Sequence, residues 1–120
     1  MQFSKGWTIW TGEGPEKNRL FYTREAGRRV SFTARGSKIS LVHKVGPDCG
    51  IARVLINGKP AGVAELDTYC ETVEWNRRTV LDENLVSPEN TVVIESTGRA
   101  NPDSSNSYVQ VVGFESSEKR

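Results

Sequence analysis

The chain has a single histidine, His43, and two cysteines, Cys49 and Cys70. That scarcity excludes most nucleophile and metal chemistry. A Ser-His-Asp triad needs an imidazole base, and the one present lies within the strand-like "SLVHKVG", where a sandwich-facing histidine is the better reading. Zinc needs three or four converging ligands, and no Cys-x-x-Cys or His-x-x-x-His spacing occurs. No apolar run approaches the roughly twenty residues of a membrane span, and the N-terminus lacks a charged-then-apolar signal pattern, so the protein is either cytosolic or one whose signal has been removed. A formal net charge of +1 supplies no global attraction for nucleic acid or an anionic membrane. The doublets Arg28-Arg29 and Arg77-Arg78 read as solvated faces. Internal repeats are absent, which excludes propellers and solenoids. The glycine-rich "TGEGPEKN" lacks the Gly-Lys-Ser/Thr ending and the following helix of a phosphate cradle, and reads as a loop.

What is there is period-two alternation. "RRVSFTA" sets Val30 and Phe32 on one face, and "SKISLVHKV" does the same with Ile39 and Leu41. "GIARVLINGKPAGVAEL" brings Ile51, Val54 and Ile56 up to Asn57-Gly58 and continues with Val63 and Leu66, the pattern of a hairpin with a tight turn. Further strands are expected at "TVEWNRRTVL", "NTVVIEST" and "SYVQVVGFE", separated by turn clusters such as "SPEN" and "RANPDSSNS". The irregular "WTGEGPEKNRLFYT" reads as a loop between the first and second strands. No helix is expected. Short, closely spaced strands in 120 residues predict one all-β domain, an antiparallel β-sandwich or jelly roll. The polar ending "ESSEKR" suggests a linker, hence a module excised from something longer.

Aromatic residues are the remaining chemistry. Trp7, Trp10, Tyr22, Tyr69, Trp75 and Tyr108 fall in loops or at strand ends, where a flat ring with a polar tip can stack on the apolar face of a ligand such as a sugar. Alternation favours core packing for Trp7 and Trp75, whereas Trp10 and Tyr22 stand evenly between packing and binding. The 15 acidic residues offer many carboxylate pairs for glycoside hydrolysis, so their presence alone selects no catalytic pair. A structural calcium ion leaves almost no linear signature outside the EF-hand type and stays open, as does pairing of Cys49 with Cys70.

The order "GRRVSFTARGSKISLV", then "GPDCGIARVLINGKPAGVAELDTY", then "NTVVIESTGRANPDSSNSYVQVVGFE" resembles the galactose-binding-domain-like jelly-roll modules appended to bacterial glycoside hydrolases, polysaccharide lyases and SGNH-type esterases. The resemblance runs from about Val30 to Glu115. It departs from the family pattern at Asn57, where the hairpin turn usually has Asp, at Asn90, where His is frequent, at the interrupted "LDTYC", and at "VGF" in place of "DAF". The resemblance implies a non-catalytic carbohydrate-binding module, secreted or on the bacterial cell surface. It would be monomeric, linked in cis to a catalytic domain, partnered by polysaccharide, and without nucleic-acid or membrane partners. The site residues it implies at the loop edge are Trp10, Tyr22, Arg24, Tyr69, Arg99 and Asn101. Asn101-Pro102 also fits a residue that caps its own turn, and Tyr108, opening the last strand, is expected to be packed. The runner-up is a structural jelly roll that packs against an SGNH-type esterase or another catalytic domain and binds no sugar.

Overall fold

The computed structural model describes residues 1–10 and 20–117. They form ten strands: β1 (Gln2–Phe3), β2 (Thr8–Trp10), β3 (Leu20–Thr23), β4 (Arg29–Arg35), β5 (Lys38–Val45), β6 (Ile51–Ile56), β7 (Lys59–Asp67), β8 (Glu74–Asp82), β9 (Glu89–Ser96) and β10 (Val109–Ser117). Two five-stranded antiparallel sheets result, ordered β1-β4-β9-β6-β7 and β2-β3-β10-β5-β8. The all-β sandwich expected from the alternation is therefore the observed architecture, with no helix among the described residues.

Each sheet buries alternate residues, because successive side chains on a strand point to opposite faces. In β4, Val30, Phe32 and Ala34 are buried while Arg29, Thr33 and Arg35 are exposed. In β6 and β9 the buried set is Ala52, Val54 and Ile56 with Val92 and Ile94, and the other sheet contributes Ile39, Leu41, Leu81, Val109 and Val111. Phe32 stacks on Phe114 across the two sheets at 4.0 Å, and Phe3 stacks on Phe21 at 4.3 Å. Each fully buried aliphatic chain of this kind contributes about 2 kcal/mol over leaving it in water.

The β6–β7 hairpin turns at Asn57 (φ 55°) and Gly58 (φ 80°). Two successive positive φ angles are the mirror-image turn that matches strand twist, which explains the Asn-Gly pair. Two sequence expectations need correction. The end of "WTGEGPEKNRLFYT" is not loop: Leu20–Thr23 is β3, which pairs with both β2 and β10. Its centre, residues 11–19, lies outside the described residues. Trp75 does not join the core; its ring is half-buried beneath the Lys44 ammonium, 4.3 Å from the ring centroid, on the face of β5 opposite to buried His43 and Val45. Trp7 does pack against the core, with its Nε1–H donating to the Arg29 carbonyl (3.1 Å).

His43 is buried, as its position in an alternating strand implies. Its Nε2 lies 2.8 Å from the Thr79 hydroxyl. Burial lowers its pKa to about 4, with the Arg77 charge acting in the same direction, so the ring is neutral and structural at ordinary pH.

Candidate functional site at the loop end

The antiparallel strand order gathers connections at one end of the sandwich, among them β3–β4, β5–β6, β7–β8 and β9–β10. Hydrogen bonds join them. The Gly50 N–H donates to the Tyr108 carbonyl (2.6 Å), the Thr68 hydroxyl to the Gly50 carbonyl, and the Ser105 N–H to the Pro47 carbonyl (2.9 Å). The Ser107 hydroxyl donates to the Arg24 carbonyl (3.0 Å), and the Thr97 hydroxyl donates to the Ile51 carbonyl. Gly50 is required here: a Cβ on it would lie 2.5 Å from the Ser107 carbonyl oxygen. The loop end is thus a hydrogen-bonded platform, the kind of support that holds a surface site in one geometry.

Five of the six loop-edge residues singled out in the sequence fall into two places on this platform. The first is a groove of about 180 Å³ lined by Gly6, Thr8, Tyr22, Thr23, Arg24 and Glu25 together with Tyr108. Tyr22 and Tyr108 meet edge to face, with ring centroids 5.7 Å apart, and both rings are half-buried. Arg24 is exposed and makes no ion pair among the described residues, whereas Glu25 is held by Arg28. Among the described residues the groove therefore offers two rings, a guanidinium without an ion pair and the exposed Thr8, while Thr23 is buried and its hydroxyl accepts the Glu25 N–H (3.3 Å).

Tyr108 was expected to be packed, and it is half-buried, with its ring set edge to face against Tyr22. The signal was present in "SYVQVV": Val109 and Val111 are fully buried, so Tyr108 shares the opposite face with Gln110. Tyr108 makes a bridge with Cys49 just ahead of β10, which fixes its backbone there.

The second place holds Tyr69, Arg99 and Asn101. Asp67 joins two of them: its Oδ1 accepts the Tyr69 N–H (3.0 Å) and its Oδ2 accepts the Asn101 Nδ2–H (3.1 Å). The Asn101 Oδ1 accepts the Asp103 N–H (3.0 Å), so Asn101 caps its own turn as its Asn-Pro context suggested. Arg99 is ion-paired with Glu65 across the loop end. Partial desolvation, then the charges of Asp103 and Glu71, raise the Tyr69 pKa and keep its hydroxyl protonated. Here most polar groups are already engaged with one another. The β9–β10 connection runs between the two places, carrying Asn101 at one and Tyr108 at the other.

Trp10 joins neither cluster through its backbone position. It ends β2 opposite Leu20, two residues along β3 from Tyr22, on the side away from the loop end. Among the described residues, no group of three or more His, Cys, Asp or Glu side chains is arranged to hold a metal ion.

No protein-family model matches the chain, and no curated protein sequence does either. Solved structures do share its fold. A Paenibacillus xanthan lyase superposes with a TM-score of 0.71 at 14% identity, over 98% of this chain and 12% of that one. A two-domain esterase active on acetylated mannans, co-crystallised with mannopentaose, superposes with a TM-score of 0.63 at 17% identity, over 83% of this chain and 28% of that one. The chain thus has the fold of a minor part of two longer carbohydrate-active enzymes.

Proposed function

We propose that this chain is a non-catalytic carbohydrate-binding module, secreted or displayed at a bacterial cell surface, that holds a catalytic domain linked in cis close to its polysaccharide. The observation that carries this reading is the Tyr22–Tyr108 groove, with the exposed Arg24 guanidinium at its rim. Two rings set at an angle can meet two faces of a sugar, and the exposed Arg24 and Thr8 supply hydrogen-bonding groups for its hydroxyls. A groove this shallow gains little per sugar after the costs of ordering and desolvation, so the module acts by raising effective concentration at the polymer as a monomer. A hydrolytic role fits less well. Among the described residues the groove holds one carboxylate, Glu25, already engaged by Arg28, whereas glycoside hydrolysis uses two flanking the scissile bond. The shared fold with a xanthan lyase and a mannan esterase supports an accessory place in a carbohydrate-active enzyme. The galactose-binding-like kinship rests on the sequence resemblance.

Affinity electrophoresis of the 120-residue chain through gels containing xanthan, acetylated and deacetylated mannan, and other neutral and acidic polysaccharides tests the reading. Retarded migration on at least one glycan, abolished in Tyr22→Ala/Tyr108→Ala with an unchanged far-UV spectrum, is expected. Unretarded migration on all of them overturns it.

One observation favours the second reading, a structural domain that docks on its catalytic neighbour. An apolar depression of about 380 Å³ lies between the edge strands β7 and β8, lined by Gly62, Val63, Val80 and Leu81 with Asp82 and Glu83 at its rim. Val80 is exposed there. Stable association with a separately expressed catalytic domain, lost on Val80→Asp and indifferent to the tyrosines, would select that reading.

A further inference from the structure

Both cysteines are free thiols, yet the backbone holds the two residues together across 21 positions. The Cys49 N–H (3.3 Å) and the Cys70 N–H (3.1 Å) donate to the same acceptor, the Gly46 carbonyl. Gly46 is in addition the bridge partner of Tyr69, the residue before Cys70. A Cβ built on Gly46 would lie 3.9 Å from the Cys49 Sγ, so the sulfur sits over the very residue whose carbonyl receives Cys70. Two amide nitrogens held at 3.3 and 3.1 Å from one oxygen make the two cysteine backbones immediate neighbours, the condition a disulfide needs before its side chains can close. The Cys70 sulfur faces the Thr72 hydroxyl at 3.8 Å, a contact weak enough to give up when the side chain rotates.

We propose that Cys49 and Cys70 close to an intrachain disulfide in the presence of a disulfide oxidant, fastening the β5–β6 connection to the segment that carries Tyr69. The inference does not depend on the sugar-binding reading, although an extracytoplasmic location would supply the oxidising conditions. The order of steps follows from exposure. Cys70 is partly exposed and Cys49 is fully buried against Asp48 and Gln110, whose Nε2 donates to the Cys49 Sγ at 3.4 Å. The Cys70 thiolate attacks one sulfur of the oxidant, expelling the other as a thiolate that takes up a proton. Cys49 then loses its proton to solvent and attacks the Cys70 sulfur of the mixed disulfide, releasing the second thiol. Two protein thiols are oxidised by two electrons, and one oxidant disulfide is reduced to two thiols. Hydrogen bonds from Thr72 lower the Cys70 pKa, and burial raises that of Cys49 to about 11, which makes Cys70 the attacking residue and the closing step the slower one.

The test equilibrates the 120-residue chain with oxidised glutathione, quenches with an alkylating reagent and maps the peptides by mass. Expected are a mass lower by two hydrogen atoms, no alkylated cysteine, a cross-linked peptide pair containing Cys49 and Cys70, and a Tm about 10 °C higher that a dithiol reverses. The Cys49→Ser variant should stop at a stable glutathione adduct on Cys70. Two alkylated cysteines in wild type, a glutathione adduct on wild-type Cys70 that never resolves, or a disulfide between two chains would each overturn the proposal. Because the peptide map is made on wild-type protein, the outcome does not depend on how any variant folds.

Discussion

Asn57 and Asn90 lie 33 residues apart and are joined side chain to side chain, the Asn57 Nδ2–H donating to the Asn90 Oδ1 at 2.8 Å. The two amides organise the end of the sandwich opposite the candidate site. The Asn57 Oδ1 accepts the Thr91 N–H (2.9 Å), while the buried Asn90 donates to the Gly36 (3.3 Å) and Ser87 (3.1 Å) carbonyls. Three turns are fastened through one pair. Both positions are also where this chain departs from the family pattern it resembles, in which Asp stands at the turn and His is frequent at the partner.

That coupling is testable. Asn90→Asp replaces two donors with carboxylate oxygens aimed at two carbonyls in a buried site, and should cost about 3 kcal/mol or more. Asn57→Asp alone leaves two acceptors facing each other and should cost about 1–2 kcal/mol. Asn57→Asp combined with Asn90→His restores a donor to the pair and should recover at least half of the Asn57→Asp loss. Urea titration of the single and double variants gives the coupling directly, and additive losses would mean that the contact is incidental.

Gly50 provides a second, steric test. Its missing side chain admits the backbone of the β9–β10 connection, and the atoms a Cβ would meet are the Ser107 carbonyl oxygen and carbon at 2.5 and 2.6 Å. Backbone cannot swing aside as a flexible side chain can, so Gly50→Ala should destabilise by about 2–3 kcal/mol through displacement of that loop. The loop should move with it: amide exchange at Ser107 and Tyr108 should accelerate beyond what the global loss of stability accounts for. A stability within error of wild type would show that the two connections are not in register as described.

The sandwich was legible because burial writes itself into the sequence as alternation, and Val30, Phe32, Ile39, Leu41, Val54 and Ile56 are all buried where the period-two pattern put them or close beside it. The hairpin was legible because Asn57-Gly58 is a backbone requirement. The candidate site was legible only in part. Tyr22 and Arg24 could be named, but their partner Tyr108 lies 84 to 86 positions away and is brought to them by β3–β10 pairing, which local sequence does not encode. Trp75 was misplaced for a related reason: alternation says that a ring lies on one of two faces, and the β5–β8 register, irregular between His43 and Val45, brings it to the side of Lys44.

His43 makes the stability depend on pH in a defined window. The unfolded chain takes up a proton near the ordinary 6.5, the folded one only near 4, because burial penalises the imidazolium. Above 6.5 both states are neutral at this residue and its full contribution is present. As pH falls from 6.5 to 4 the unfolded state binds the proton first, and about 3 kcal/mol of stability is lost; below 4 this group contributes no further change. Urea midpoints measured for wild type and His43→Gln across that window should converge as pH falls, since the variant lacks the titrating group. Parallel profiles would show that His43 is not the residue responsible.

The two clusters at the loop end make opposite predictions about which rings meet a ligand. Tyr22 and Tyr108 flank a groove with Arg24 exposed at its rim and without an ion pair among the described residues. Tyr69 sits among Asp67, Asp103 and Glu71, where Asn101 is spent on its own turn and Arg99 on Glu65. For a glycan that retards the wild-type chain, Tyr22→Ala and Tyr108→Ala should each weaken binding about tenfold, the loss of one stacking face worth about 1.4 kcal/mol. Arg24→Ala should weaken it by a few-fold, because an exposed charged donor competes with water. Tyr69→Ala should change it less than twofold. Calorimetric titration of the four variants with a soluble oligosaccharide gives the ordering, and a reversal of the tyrosine effects would move the site along the β9–β10 connection to the Asn101 side.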